Sequence, residues 1–396
     1  MGNRRWLLPE SIADVLPREA AHIEVLRRRL LDEFASYGYE LVMPPMLEFV
    51  ESLLPGIGAR SDLELRTFKL VDQISGRSMG VRADITPQAA RIDAHMLNRQ
   101  GVTRVCYCGS VLHTLPASFE ATREPLQIGA ELYGHSGLEA DIEVVGLLAS
   151  ALRLCGIQAL RLEFGHAAVF NALSAAAHFD GSRAEDVFLA LQGKDIPLLR
   201  ELLATVNEPL RSAFLALPTL QGNVQVLHEA AQVLPALPAI TAALADLQRM
   251  ARSLANVTGL SMGFDLADLR GYNYHTGVVM AAYCAGSATA VALGGRYDGL
   301  GEAYGRARPA TGFSMDLREI ARLSPHVEPR CGVLAPWPDS QAASDAMHAE
   351  VKQLREAGER VVFALPGHDG TWRAADCDRA LVWRAGKWIV EPLRED

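Results

Sequence analysis

The sequence predicts an α+β fold: a sheet flanked by amphipathic helices, interrupted by a helical insertion at about residues 167–258 and followed by a small α/β domain at 329–396. Three observations carry this. Strands come in hairpin-like pairs, around Ser75-Gly76 and across Cys284-Ala285-Gly286-Ser287. From about Ala167 to Ala255 the chain turns Ala- and Leu-rich and is punctuated by Pro197, Pro209, Pro218, Pro235 and Pro238. After Arg330 a strand-helix-strand pattern returns.

Taken in order, Pro17 precedes an amphipathic helix over Arg18 to Tyr37, because Ile23, Leu26, Leu30 and Phe34 recur at three- and four-residue steps and Gly38 supplies a stop. Tyr39 to Met43 reads as a strand, and Thr67 to Asp72 with Ser78 to Arg82 as a hairpin. A helix follows at 86–99, then strands at Val102 to Cys108 and Gln127 to Tyr133, then a helix at 139–155. Leu160 to Phe164 alternates apolar and charged residues, the period of a half-buried strand. Within the insertion, Ser182-Arg183-Ala184-Glu185 matches a capping box. Strands resume at Ser261 to Leu266, Gly277 to Tyr283 and Thr289 to Leu293, and Gly312 opens the last helix of a main domain ending near residue 325. The tail has strands at Gly332 to Ala335, Arg360 to Leu365, Arg379 to Trp383 and Lys387 to Val390, with a helix from Ser340 to Ala357.

Composition excludes several classes. With 396 residues, 49% hydrophobic and 21% charged, the chain has ordinary globular usage. Its opening basic residues lead into Glu10, Asp14 and Glu19 rather than an apolar run, and no stretch has the length of a membrane span, so a cytosolic protein is expected. The six cysteines include no CxxC pair, which points to buried thiols rather than disulfides or a metal site. A net charge of −9 argues against a chain devoted to gripping a phosphate backbone. Gly294-Gly295 is followed by no Lys-Ser/Thr, so it is not a Walker-type loop, and no metal or cofactor is expected.

Three clusters are too polar and glycine-rich for plain core: Arg82-Ala83-Asp84-Ile85-Thr86; Gln127-Ile128-Gly129-Ala130-Glu131; and Arg270-Gly271-Tyr272-Asn273-Tyr274 with Gly294 to Gly299. In the second, Gln127, Gly129 and Glu131 share one face of a strand, with a glycine leaving room for something to approach. An α-amino acid needs carboxylates or amide oxygens for its ammonium and an arginine for its carboxylate, and these clusters supply both. Taken singly, Arg82–Asp84 and Arg296–Asp298 read first as structural ion pairs, with the glycines marking turns or bulges.

Read together with Ser36-Tyr37-Gly38-Tyr39 and Pro45-Met46-Leu47-Glu48, these blocks resemble, from about residue 8 to 322, the catalytic core of the histidyl-tRNA synthetases. The resemblance implies a class II aminoacyl-tRNA synthetase-like fold, with a six- or seven-stranded, mostly antiparallel sheet and a homodimer interface around Pro45. It also implies a histidine pocket. Asp84, where the family has Glu, with Thr86 and Gln127, would hold the ligand's α-amino group and carboxylate; Glu131, Tyr274 and Tyr297 would line the imidazole end. Arg270 takes the place of the family's catalytic arginine, and His275 stands where the enzymes have a second tyrosine.

The ATP half departs from the enzymes. Their Phe-Arg-x-Glu reads here Leu112-His113-Thr114-Leu115, so His113 and Leu115 replace the arginine and glutamate, and the last motif's arginine falls on Glu319. Losing one preorganised positive donor costs orders of magnitude in phosphate chemistry, so adenylation is expected to be lost. The tail is shorter than an anticodon-binding domain, and no tRNA binding is expected. The pattern is similar to the synthetase-like regulatory subunits that partner the catalytic short form of ATP phosphoribosyltransferase, the enzyme that condenses ATP with phosphoribosyl pyrophosphate at the start of histidine synthesis. That resemblance implies a non-catalytic chain, present as a homodimer within a hetero-octamer, with histidine as feedback effector. An active histidyl-tRNA synthetase and a stand-alone histidine-binding adaptor are the alternatives.

Overall fold

One apolar stripe decides which face of the sheet is covered. Helix α1 (Pro17–Ser36) starts on a proline whose missing N–H costs nothing at that position, and it buries Ile23, Leu26, Leu30 and Phe34. Phe34 meets Phe313 edge-on at 5.9 Å between ring centroids, and such a ring contributes about 1.5–3 kcal/mol by leaving water. Gly38, at φ +82°, ends the helix in a conformation that L side chains avoid. In this computed structural model, residues 7–54, 62–118, 121–268, 275–325, 331–338, 341–367 and 377–393 are described.

Beyond Gly38 come β1 (Glu40–Leu41) and a small antiparallel sheet, β2 (Leu47–Phe49), β3 (Lys69–Val71) and β4 (Ser78–Val81), in the order β2-β4-β3. Short helices α2 (Val50–Leu53) and α3 (Asp62–Arg66) lie between its first two strands. Helix α4 (Thr86–Arg91) continues as a π-helical segment, Ile92–Leu97. Next are β5 (Thr103–Ser110), β6 (Leu126–Tyr133), α5 (Leu138–Leu154) and β7 (Leu160–His166).

The insertion is helical, with α6 (Ala167–Ala176), α7 (Gly181–Gln192), α8 (Ile196–Leu202) and α9 (Leu210–Ala216), the two-residue strand β8 (Gln221–Gly222), then α10 (Gln225–Val233) and α11 (Pro238–Leu254). Its α7 is not capped by the predicted box: Asp180 accepts the Arg183 N–H at 2.8 Å, and the helix begins at Gly181, so Ser182 is already inside it. A carboxylate at the N-cap is at least as good an acceptor as the serine hydroxyl and also favours the helix dipole.

The main sheet is completed by β9 (Leu260–Asp265), β10 (Val278–Tyr283), β11 (Ala292–Arg296) and β12 (Ala310–Asp316), before α12 (Leu317–Leu323). Its order is β1-β5-β6-β12-β11-β10-β7-β9-β8. From β5 to β7 every pairing is antiparallel, while β1 runs parallel to β5 and β9 parallel to β7. The sheet is therefore mixed and nine strands wide, wider than expected, because β1 extends the six antiparallel strands at one edge and β9 with the insertion's β8 at the other.

Gly312 does not open a helix; it lies inside β12. Residues 310–313 of that strand are all buried, and an apolar run without alternation does not tell strand from buried helix. The helix begins only after Asp316, whose carboxylate caps the Arg318 N–H at 3.0 Å.

Alternation along β6 divides the sheet into two environments. Ile128, Ala130 and Leu132 pack with Phe313, Met315 and Met280 in one cluster with α1 and α5. On the other face, Val105, Tyr107, Tyr133 and Tyr297 join Ile85, Ala89 and Leu300 in a smaller cluster. That second face carries the polar residues singled out above.

These elements form one unit, Met1–His326; Val327–Asp396 form a second. There β13 (Gly332–Ala335), α13 (Gln341–Glu356), β14 (Val361–Phe363), β15 (Cys377–Arg384) and β16 (Lys387–Pro392) make a sheet in the order β14-β13-β15-β16. Met347 and Val351 of α13 pack on Val333, Ala335, Val361 and Leu381.

Candidate functional site

Register brings the polar face of β6 against two glycine strands. Tyr107 of β5 lies opposite Gly129, Glu131 opposite Gly312 of β12, and Gly312 opposite Gly295 of β11. A Cβ at Gly312 would sit 1.6 Å from Glu131 Oε2, so the glutamate lies directly over that glycine. The space at Gly129 is not open to a ligand as its position in the strand suggested: a Cβ there would meet the Tyr107 hydroxyl at 2.6 Å and the Phe313 carbonyl at 2.5 Å.

Glu131 is 1% exposed and no cation faces it among its hydrogen-bond partners. Oε1 accepts from the Tyr107 hydroxyl at 2.9 Å and from Thr86 Oγ1 at 3.0 Å, and Oε2 accepts from the Tyr297 hydroxyl. Burial pushes its carboxyl up to about 8, against the pull of those hydroxyl donors. An acid in this setting holds its proton at neutral pH.

The turn before α4 supplies the rest. Gln127 donates its amide to Asp84 Oδ1 at 2.8 Å and accepts the Ile85 N–H at 2.8 Å, while Asp84 also accepts the Thr86 N–H at 3.0 Å. Asp84, Thr86, Gln127, Glu131 and Tyr297 are thus linked through one hydrogen-bonded cluster. Arg82 does not pair with Asp84: it is buried and donates to the carbonyls of Ser110 at 2.8 Å and Pro44 at 2.7 Å. Gly109 makes room for it, since a Cβ there would strike its guanidinium.

Next to Tyr297, Arg296 makes a structural pair, but chiefly with a residue not singled out in the sequence. Its guanidinium reaches Asp141 Oδ2 at 2.7 Å and 3.1 Å and the carbonyls of His135 and Gly137, whereas Asp298 is 3.3 Å away. Both Arg296 and Asp141 are buried. This pair fixes β11 to the start of α5.

Beside the positions assigned to the nucleotide, two described arginines, Arg123 and Arg318, donate to backbone carbonyls. Arg123 donates to the His113 carbonyl at 3.0 Å and stacks over Phe68, 5.3 Å from its centroid. Arg318 donates to the carbonyls of Glu124 at 2.8 Å and Ala13 at 3.0 Å. His113 is buried with Nε2 3.0 Å from the Ala83 carbonyl, and Leu115 is 72% exposed. Glu319 pairs with Arg322 at 2.6 Å, and the Arg322 hydrogen bond holds its carboxyl below the usual range. Its position thus carries a negative charge.

Arg270 and Tyr274 lie outside the described residues. His275 lies over Gly295: a Cβ there would be 2.8 Å from the ring. Two residues at the site were not singled out in the sequence. Tyr107 sits between two cysteines in a run that reads as a buried strand; Tyr133, buried, has its hydroxyl 3.4 Å from that of Tyr297. The alternation Tyr107, Gly109 on β5 was a usable signal only with the strand pairing in hand.

Residues 11–320 match the family model described as histidyl-tRNA synthetase, and residues 330–391 match the ATP phosphoribosyltransferase subunit HisZ C-terminal domain. The chain is 58% identical over 390 residues to an ATP phosphoribosyltransferase regulatory subunit of Azoarcus sp. (strain BH72), covering 98% of this chain and 99% of that one. It is 58% identical over 387 residues to that of Burkholderia vietnamiensis, with the same coverage. A crystal structure of an ATP phosphoribosyltransferase regulatory subunit/histidyl-tRNA synthetase from Bacillus halodurans superposes with TM-score 0.79 at 26% identity, covering 93% of this chain and 95% of that one. Histidyl-tRNA synthetase from Nostoc sp. PCC 7120 shares the fold, with TM-score 0.77 at 17% identity over 98% of this chain and 97% of that one.

Proposed function

The chain belongs to the ATP phosphoribosyltransferase regulatory subunits, histidyl-tRNA synthetase-like proteins of histidine biosynthesis, and from that premise we propose that it binds histidine in the site on β6 and thereby mediates feedback. As a regulatory subunit it is non-catalytic, and it works with a catalytic ATP phosphoribosyltransferase.

The observation that carries the proposal is the asymmetry of the site. Acceptors for an ammonium and for imidazole N–H groups are assembled at Asp84, Gln127 and Glu131, while Arg123 and Arg318, beside the nucleotide positions, donate to backbone carbonyls. Phosphate transfer requires positive charge aimed at the reacting oxygens, and the enzyme positions are taken here by His113, Leu115 and Glu319. In this reading Asp84, Thr86 and Gln127 hold the α-amino group and carboxylate, with Arg270 on the carboxylate, and Glu131, Tyr274 and Tyr297 read the ring. Asp84 stands where the synthetases have the longer Glu, so its carboxylate reaches the ammonium directly or through one water.

Feedback requires that histidine bind two states of the assembly with different affinity. The assembly is proposed to be a hetero-octamer of regulatory homodimers and catalytic short-form dimers, formed without tRNA. The test is co-purification with a short-form catalytic subunit, followed by an activity assay with and without histidine. Activity that depends on this chain and falls with histidine supports the reading. Histidine inhibition that persists when Gln127→Ala and Glu131→Ala are combined in this chain overturns it.

A further inference from the structure

Glu131 is held by more hydroxyl groups than a ligand-reading carboxylate needs, and their arrangement is unusual. Thr86 Oγ1, the Tyr107 hydroxyl and Glu131 Oε1 form a closed triangle with edges of 3.0, 2.9 and 3.0 Å. Two hydroxyls bring two protons, which fill two edges. The third edge is filled only when Glu131 itself carries a proton, each oxygen then donating once and accepting once. Tyr107 is fully buried, and the missing side chain at Gly129 admits its hydroxyl to this position. Among the described residues, the groups facing Glu131 are Asp84 and Thr86 from the turn and start of α4, Tyr107 from β5, Tyr133 from β6 itself and Tyr297 from β11; Asp84 is an acid, and none of them is a base.

We propose that Tyr107 is a positioning residue of the ligand pocket: through the notch at Gly129 it completes a three-membered hydroxyl–carboxyl ring that fixes the orientation of Glu131, whose proton, kept by burial, is handed to or shared with the incoming imidazole. The proposal rests on the histidine reading above and deepens it. Only one proton moves: the O–H bond of Glu131 is replaced by an N–H bond on the imidazole, or the proton is shared between the two atoms. The free pocket carries the proton on the carboxyl oxygen, and the complex carries it on the hydrogen bond between that oxygen and an imidazole nitrogen, so the proton count is unchanged on binding while both forms are present. Once Glu131 loses its proton in the free protein, binding must take one from water. Affinity then falls by up to about tenfold per pH unit.

The test is calorimetric titration of the full chain with L-histidine from pH 7 to 9.5, comparing the unmodified protein with Tyr107→Phe and Glu131→Gln. Histidine's own groups titrate identically against all three, so differences between the proteins isolate the ring. The unmodified protein is expected to lose affinity above pH 8. Tyr107→Phe is expected to bind about tenfold more weakly at pH 7.5, as for loss of one hydrogen bond to a charged or shared-proton group. Its falling limb should also move to higher pH, because one fewer donor stabilises the carboxylate. Glu131→Gln should lack the limb.

Phenylalanine fills the same volume, and an unchanged melting temperature shows that the hydroxyl and not the packing is responsible. Should Tyr107→Phe fail to fold, Thr86→Val removes another member of the ring and must show the same shifted limb. A Tyr107→Phe protein with unchanged affinity and an unmoved limb overturns the proposal while leaving histidine recognition intact. Absence of histidine binding at every pH overturns the functional reading instead; the ring is then read from ligand-free melting, where an identical pH dependence for the unmodified protein and Tyr107→Phe overturns it.

Discussion

The two halves of the site spend their polar groups differently. Around Glu131, side chains bond to side chains: Thr86, Tyr107, Tyr297, Gln127 and Asp84 make a connected set. A few residues away, side chains bond to backbone: Arg82 to Pro44 and Ser110, Arg123 to His113, Arg318 to Glu124 and Ala13. The first arrangement leaves groups whose partners a ligand can replace. The second uses charge as scaffold, and a guanidinium that satisfies buried carbonyls cannot leave them without cost. A synthetase-like fold can thus keep its shape while one half of its chemistry is turned into structure.

The largest expected effect separates the halves directly. Histidine-dependent ATP–pyrophosphate exchange should be absent, below an active synthetase by several orders of magnitude, since more than one charge-bearing position is changed. Measurable exchange would break the comparison by showing that His113, Leu115 and Glu319 do not disable the nucleotide half.

Smaller, but still large, is the effect of removing scaffold charge. Arg296→Ala strands Asp141 in a buried site, and chemical denaturation should show a loss of about 3–5 kcal/mol. Tyr297, its neighbour, should be replaceable by Phe at far smaller cost to stability. Equal losses for the two would blur the line between scaffold and site.

The smallest effect is a slope with pH. Glu131 has its folded value raised to about 8 from an unfolded value of 4.5, so its contribution to stability is complete below 4.5 and is lost as pH rises through 8. Buried His166 has its value lowered by burial to about 4 from 6.5, so its contribution is complete above 6.5 and is lost as pH falls through 4. Between pH 6.5 and 8 only the Glu131 slope remains of these two, and stability should fall by about 1 kcal/mol per pH unit, a slope that Glu131→Gln removes. Melting curves across that window check it.

Much of this was legible in the sequence where the warrant was local. The spacing Gln127, Gly129, Glu131 put all three on one strand face, and the stripe in α1 gave its buried side. What was not legible depended on pairing between distant segments. Tyr107 belongs to the site only because β5 and β6 align it with Gly129, and Asp141 pairs with Arg296 across 155 residues of chain. Gly312 looked like a helix start because a strand buried on both faces carries no period to recognise. Ser182 fits the capping-box pattern, but the acid two residues earlier caps the helix by accepting the Arg183 N–H, which leaves Ser182 inside it.

The account stands on a pocket that still reads histidine after losing the means to activate it. Its most direct test is calorimetric titration of the full chain with L-histidine at pH 7.5, beside Glu131→Gln. Saturable binding to the unmodified protein that weakens about tenfold or more in the variant is the predicted result. No heat of binding to the unmodified protein, alone or with its catalytic partner, would contradict it.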